Sequence, residues 1–291
     1  MQVVGSISHD QIDGSMMPAE RRIGGSALYF ALAASILTPV RMYAIVGRDS
    51  LRQTQEVLAQ RPVDTRLQIS SQPTYLWSAR FSSELGQNVE LDSDESIYSE
   101  FDVLPEPFDG PTFVGSLPCH LQQRCAERLG GKVDAGDLMP GYIRRAPDAA
   151  RTFIGMCDWF LCNAIELEAL GYSDPWRAIN ELNVSGLVLK LGAQGLVAHW
   201  RGATISMPAY PCQIVDTTGA GDALAAGFIC GGGTRADSVG PIAAALALGV
   251  ALASAAIEGP GIAGIKRVTR ARVIERAGWA MGRGEIRVGA T

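Results

Sequence analysis

The chain is poor in charge and poorer still in lysine. Only 19% of its 291 residues are charged, Lys132, Lys190 and Lys266 are its three lysines, and arginine supplies the other basic residues. No run of basic residues occurs, and 30 acidic against 25 basic side chains leave a formal net charge of -5. Such a chain has no electrostatic footprint for DNA or RNA, so no nucleic-acid partner is expected. It also lacks any C-x-x-C pair. The cysteines (Cys119, Cys125, Cys157, Cys162, Cys212, Cys230) have a single histidine next to one of them, His120. That excludes a zinc framework and reads as reduced thiols. No basic n-region or long apolar h-region precedes Asp10 and Asp13, so a cytoplasmic location without a secretory signal is expected. The uncharged, Ala-rich segment Pro241–Ile257 falls short of the roughly 20 residues a bilayer needs. It is expected to be a core helix, and no membrane partner is expected. No repeat or low-complexity linker interrupts the chain, which is expected to fold as one domain over residues 1–291. A hydrophobic share of 47% excludes disorder.

What the chain does have is glycine, 33 residues in all, which points to tight turns and close backbone approach to a ligand. The pattern begins with a strand over Gln2–Ile7 running into a candidate functional loop at Ser8-His9-Asp10. A buried helix follows Gly24-Gly25-Ser26, and Pro39 ends it. Val40–Val46 reads as a strand, Gly47–Ser50 as a loop, and Leu51–Gln60 as a helix. Residues 73–92 alternate apolar and polar around Leu85-Gly86-Gln87, the signature of a half-exposed hairpin. Such a hairpin does not join a parallel sheet easily and is expected to project as a flap. Tyr75, Trp77 and Phe81 fall on one side of it and are expected to pack on the sheet below. The acidic stretch Asp92–Glu100 reads as a solvated loop.

From Thr112 onward strands and helices alternate again: a strand at residues 113–117, a helix at His120–Leu129, a strand at Lys132–Ala135 and a helix at Pro147–Met156. Strands follow at Trp159–Cys162 and Gly186–Leu191, with short helices at Glu166–Leu170 and Trp176–Asn183 between them. A meander comes next, at Leu196–His199 and Ala203–Met207. The alternation predicts an α/β fold, a doubly wound and mostly parallel sheet flanked by helices, with a small β flap or lid at roughly residues 11–23 and 72–100.

The segment Ile214–Phe228 carries the chemistry. A strand, a glycine-rich turn and an Ala-rich helix in that order aim the free N–H groups of Gly219, Ala220 and Gly221 at one point, a ready anion site. Asp222 stands at the helix start, where its carboxylate could cap the helix or take a proton from a hydroxyl beside a bound phosphate.

Asp216-Thr217-Thr218-Gly219-Ala220-Gly221-Asp222 resembles the C-terminal signature of the ribokinase-like kinases, the phosphofructokinase B group. Three other stretches agree in order and spacing. Gly5-Ser6-Ile7-Ser8-His9-Asp10 is similar to the first strand and loop of that family, Gly24-Gly25 to its di-glycine, and Asn163-Ala164-Ile165-Glu166 to its Asn-x-x-Glu motif. The resemblance implies an ATP-dependent kinase of a small sugar or polyol. In that role Asp222 would be the general base and Gly219, Ala220 and Gly221 the anion hole. Asp10, Gly24, Gly25 and Tyr29 would line the substrate site, and Asn163 and Glu166 would hold Mg²⁺ through water. It further implies a K⁺ site at Asp216 and Thr218, and nucleotide contacts from Thr217, Lys190, Gly192, Gly195, Glu258, Gly259 and Gly261.

Tyr29 departs from the family pattern, standing where an Asn contacts the substrate. Lys190 replaces a small polar residue and either reaches the nucleotide phosphates or faces solvent. An aromatic flap and Tyr29 would also suit a nucleoside acceptor, and a binding protein on the same fold is the third reading. Gly231-Gly232-Gly233 lacks the spacing of a dinucleotide site. An exposed flap edge makes a homodimer through the lid an expectation.

Overall fold

The computed structural model describes residues 1–13, 21–82 and 87–288. Among these residues fourteen strands form two sheets. Their ranges in chain order are β1 Gln2–Val4, β2 Ser8–Asp13, β3 Arg22–Gly24, β4 Val40–Gly47, β5 Val63–Ser70, β6 Tyr75–Ser82 and β7 Gln87–Asp94. They continue with β8 Thr112–Val114, β9 Val133–Gly136, β10 Cys157–Asn163, β11 Gly186–Lys190, β12 Leu196–Trp200, β13 Ala203–Met207 and β14 Glu285–Val288.

The large sheet has ten strands in the order β14-β13-β12-β11-β10-β9-β8-β1-β4-β5. From β5 to β11 every pairing is parallel, and β12, β13 and β14 close one edge antiparallel. The chain builds outward from β1 through β4 to β5, then crosses to β8 and builds the other way. In open α/β sheets the crevice at such a reversal, beyond the carboxyl ends of the strands, is where ligands bind. Gly5, Gly115, Asp137 and the Asn163–Glu166 cap all follow carboxyl ends of this sheet, and Lys190 is itself the last residue of β11.

The near-continuous apolar runs of the parallel strands follow from burial on both faces. On one face lie the helices Ser26–Ala34, Ala220–Cys230 and Val239–Ala256. On the other lie Cys119–Arg128, Pro147–Gly155 and Pro175–Leu182. All nine residues of Ser26–Ala34 are buried. Val239–Ala256 is long and apolar enough to cross a membrane by composition alone, yet 67% of it is buried against the other helices. A Cβ on Gly227 would lie 2.5 Å from the Gly249 nitrogen, so small residues let these helices touch backbone to backbone.

The second sheet has four strands, β3-β2-β6-β7, over the carboxyl-end crevice. It corrects several expectations. Ser8-His9-Asp10 is not a loop but part of β2, which pairs parallel with β6. Its inward face carries Ser8 and Asp10 beside Ile12, and its outer face His9, Gln11 and Asp13, so polar residues stand on both faces and the strand is hard to read. The acidic stretch is not a solvated loop either: β7 runs to Asp94, and a short 3-10 helix at Ser96–Glu100 buries Ile97 and Tyr98. Leu85 and Gly86 of the expected turn, most of the 11–23 lid segment (residues 14–20) and the side chain of Phe81 lie outside the described residues.

In the large sheet, the helix Arg48–Leu58 starts directly after β4, where a loop was expected at Gly47–Ser50. No strand precedes the glycine-rich turn. Val215 N instead bonds the carbonyl of Ile257, the C-cap of Val239–Ala256, so the segment is tied to a helix end rather than to a strand ladder. The polar edge strand β5 and the terminal β14 carry no clear apolar pattern, since edge strands need not bury either face fully.

Candidate active site

The glycine-rich turn is built as its residue types require. Gly219 is the N-cap of the helix Ala220–Cys230 and adopts φ 75°, a left-handed conformation that favours glycine. No side chain caps this helix, so Asp222 is not the cap; it is the third helical residue. Among the described residues the N–H groups of Gly219 and Gly221 have no backbone partner and are left for a ligand, whereas that of Ala220 is turned to the Thr217 carbonyl. Asp216 steadies the turn from outside. Its Oδ1 accepts from Thr218 N at 3.0 Å and from Thr218 Oγ1 at 2.7 Å, while Oδ2 accepts from Gly261 N at 2.8 Å. The loop at residues 258–261 is thereby tied to the turn. Thr217 contributes its carbonyl to Ala220 N at 3.3 Å.

Around the turn stand more carboxylates than the sequence motifs name. Asp222 is half-buried, and desolvation, followed by the nearby Asp137 charge, holds its carboxyl well above the ordinary carboxylate range; Lys190 pulls the other way. Asp137, just past β9, is buried and pushed up to about 7 by desolvation, with Lys190 opposing. Its Oδ1 has no hydrogen-bond partner among the described residues. Sequence reasoning missed Asp137, which carries no motif; the one usable signal is an acid directly after a parallel strand. The Asn163–Glu166 motif forms a complete capping box. Asn163 Oδ1 accepts from Glu166 N at 2.9 Å, and Glu166 Oε2 accepts from Asn163 N at 2.7 Å. Burial raises the Glu166 carboxyl as well. Lys190 does not face solvent, for its ammonium lies 3.6 Å from Glu166 and 3.9 Å from Asp137.

The acceptor side is formed by the second sheet. Asp10 is buried and accepts from Ser8 Oγ at 2.6 Å. A Cβ on Gly24 would fall 1.9 Å from its Oδ2, and one on Gly25, at φ 101°, would fall 2.4 Å from Ser6 O. The di-glycine is therefore required for the close approach. Tyr29 fills the floor between Asp10 and Gly219 with its ring, and its hydroxyl is buried without a partner. Trp77 stands beside Asp10 in the β2–β6 register, and its indole N–H, like the Tyr29 hydroxyl, has no hydrogen-bond partner among the described residues.

The outer nucleotide candidates are bound into the frame. Gly195, at φ 92°, abuts β13, where a Cβ would meet Met207 O at 2.0 Å. Gly192 adopts φ 58°. Glu258 is held by Arg276 at 2.7 Å, and a Cβ on Gly259 would meet Gly264 N at 2.7 Å. An open depression of about 610 Å³ along β5 lies at the opposite sheet edge, remote from this chemistry.

Desolvation pushes Asp10 up to about 7, Ser8 opposes it, and Asp216 adds to it. Because the folded value lies above the unfolded one, this carboxyl is tolerated below about pH 4 and costs stability increasingly as pH rises to about 7. Asp10→Asn is expected to raise the melting temperature at pH 8 by roughly 3 °C or more, with the gain vanishing near pH 4. The same variant should raise the acceptor KM by roughly tenfold to a hundredfold, the loss of one hydrogen bond to a charged group. Equal melting temperatures at both pH values, with an unchanged KM, would remove Asp10 from the site.

A doubly wound sheet, a helix start with free amides, and buried carboxylates facing it across the crevice define a phosphotransferase that uses a hydroxyl as acceptor. Residues 19–266 match the model of the pfkB family carbohydrate kinases, and the chain belongs to that family. It is a sugar or nucleoside kinase of the ribokinase-like fold. The matched span begins after Asp10. Among curated relatives, the cytidine kinase of Thermococcus kodakarensis is 26% identical over 246 residues, 77% of this chain and 86% of the relative. The 2-dehydro-3-deoxygluconokinase of Thermoproteus tenax is 43% identical over 63 residues, 21% of this chain and only 19% of the relative. Among solved structures, a fructokinase from Vibrio cholerae O395 superposes with TM-score 0.78 at 17% identity, covering 95% of this chain and 98% of that one.

Proposed function

We propose that this kinase transfers the γ-phosphoryl group of ATP to a hydroxyl of a small sugar or polyol, with Asp222 as general base and the amides of Gly219, Ala220 and Gly221 as the anion hole. The observation that carries the reading is the position of Asp222, a carboxylate kept basic by desolvation and then by the Asp137 charge, on the same helical turn as the amides of residues 219–221. In the transfer, the bond between the β,γ-bridging oxygen and the γ-phosphorus breaks and the acceptor oxygen bonds to phosphorus. The acceptor proton passes to Asp222, and ADP leaves. Asp10, with Gly24 and Gly25 behind it, orients the acceptor hydroxyls. The second sheet excludes water, which limits ATP hydrolysis.

The residues suit a magnesium ion brought in with the nucleotide. Among the described residues no cluster of three or more His, Cys, Asp or Glu side chains forms a metal cage. Glu166 and Asp137 offer hard oxygen ligands, one of them an unpartnered buried oxygen. Magnesium is usually held in this way, by one or two carboxylates plus phosphates and water. When bound, it would neutralise charge on the phosphates. Asp216 and Thr218 would serve a monovalent ion beside the turn.

Glu166→Gln keeps an acceptor oxygen for the capping box while removing the charge. It is expected to raise the half-saturating Mg²⁺ concentration several-fold with the melting temperature nearly unchanged; an identical Mg²⁺ titration would remove Glu166 from the metal's surroundings.

A nucleoside acceptor is the second reading, supported by the curated cytidine kinase relative and by Trp77 and Tyr29 around Asp10. ADP release with ATP and Mg²⁺ across pentoses, hexoses, sugar phosphates, inositols and nucleosides tests both. Release confined to nucleosides selects the second reading, and silence across the panel removes both. The open edge strand β7, with Val89 and Leu91 exposed, is where a second copy would pair.

A further inference from the structure

Lys190 ends β11 and lies in parallel register with Asn163 of the capping box. Its side chain is only 16% exposed, and its ammonium is 3.6 Å from Glu166 Oε2 and 3.9 Å from Asp137 Oδ2. Both separations exceed the roughly 2.7–2.9 Å of a charge-assisted hydrogen bond. The ammonium therefore hangs between two carboxylates without a tight bond to either. On its other side is the glycine-rich turn, where a Cβ on Gly221 would come 3.3 Å from Nζ. A cation on a flexible stem, with three rotatable donors, thus lies against the glycine-rich turn beside Gly221. This lysine departs from the small polar residue of the family pattern, so the pattern assigns it no role in the transfer itself.

We propose that Lys190 is a catalytic phosphoryl-binding residue: its ammonium contacts a non-bridging oxygen of the transferred phosphoryl group and completes the charge cradle begun by the amides of residues 219–221. In the nucleotide-free protein the same ammonium is the counter-ion of Glu166 and Asp137 and keeps that pair from drawing a divalent cation by itself. The inference rests on the kinase reading. Lys190 stays protonated throughout, and the reaction proton still passes from the acceptor to Asp222. A cation built into the chain gives charge stabilisation where negative charge develops on the equatorial oxygens, and it needs no reorganisation at the moment of transfer.

The test pairs Lys190→Met, which keeps length and removes charge, with Lys190→Arg, which keeps charge. Steady-state kinetics are measured together with a calorimetric titration of Mn²⁺ into the nucleotide-free proteins. Lys190→Met is expected to lose about 100- to 1000-fold in kcat, the cost of one preorganised donor, with the acceptor KM within about threefold. It should bind Mn²⁺ at least about tenfold more tightly, because a like charge about 4 Å from the carboxylates has gone. Lys190→Arg should recover kcat to within about tenfold of wild type and keep the weak Mn²⁺ binding. A Lys190→Met kcat within about threefold of wild type overturns the proposal. So does a kcat loss with unchanged Mn²⁺ affinity, the pattern of a merely structural lysine. Wild type and Asp222→Asn are run beside them. If wild type releases no ADP with any acceptor, the kinase reading falls and the proposal with it; acceptor-dependent release with an unaffected Lys190→Met overturns Lys190 alone.

Discussion

Asp222→Asn is expected to fold normally and to lose roughly 100- to 10,000-fold in kcat, the range over which a positioned general base contributes. The KM for ATP should stay within about threefold, because the amide keeps the shape of the side chain and leaves the turn's N–H groups untouched. Stability should not fall. Burial and the neighbouring Asp137 and Asp10 charges already disfavour the Asp222 carboxylate, so a neutral amide relieves repulsion. The wild-type pH profile carries a matching signature. A base must be unprotonated to act, and a raised folded-state value keeps it protonated to higher pH. The acid limb of kcat/KM should therefore lie above the ordinary carboxylate range, with activity rising as pH rises through it. Asp137→Asn removes the largest repulsive charge on Asp222 and should move that limb to lower pH. Turnover close to wild type in Asp222→Asn, or the same acid limb persisting in its residual activity, would exclude the role.

Gly219→Ala should have the second large effect, through geometry rather than charge. Gly219 sits at φ 75°, where an L side chain costs about 1 kcal/mol. Its added Cβ would also fall 2.1 Å from Cδ1 of Tyr29. That ring cannot step aside, because Tyr29 is 1% exposed and belongs to a helix buried along its whole length. The turn must move instead, and displacement of the aligned amides by about an ångström costs roughly a hundredfold in rate. A fall in kcat of that order is expected, together with weaker nucleotide binding measured by calorimetry and a lower melting temperature. The clash makes a further demand. In a double-mutant cycle with Tyr29→Leu, the two substitutions should be strongly non-additive, because the smaller side chain frees the space the new methyl needs. Additive losses would show that the left-handed backbone alone, and not contact with Tyr29, explains the effect.

Much of this site is legible in the amino-acid sequence because its parts are local. The Asp216–Asp222 run fixes a left-handed glycine, a helix start and a carboxylate on the first turn, all within seven residues. Gly24-Gly25 and Asn163–Glu166 are likewise self-contained: one permits close backbone approach, and the other builds its own capping box. The strand and helix alternation is readable because the inner parallel strands are buried on both faces and run largely apolar. The elements that escape a sequence reading follow the opposite logic. β2 turns polar residues inward, β5 and β14 lie at sheet edges, and the approach to residue 216 bonds to the Ile257 carbonyl instead of a neighbouring strand.

The sequence by itself determined the glycine-rich turn and the place of Asp222 on the helix it opens, because backbone conformation and helix entry depend on neighbours along the chain. Tertiary structure alone decided the electrostatics around them. Asp134 lies within the short strand β9, and Asp137, three residues on, stands just past its end. Asp134 accepts from Arg235 at 2.8 Å and from Thr112 N at 2.8 Å, while Asp137 is turned into the crevice toward Asp222. Lys190 reads equally well as exposed or buried until the β10–β11 register brings it to Glu166. Whether a carboxylate holds its proton or a lysine is held inward depends on charges distant in sequence. Only the order of strands in the sheet brings those charges within a few ångströms of one another.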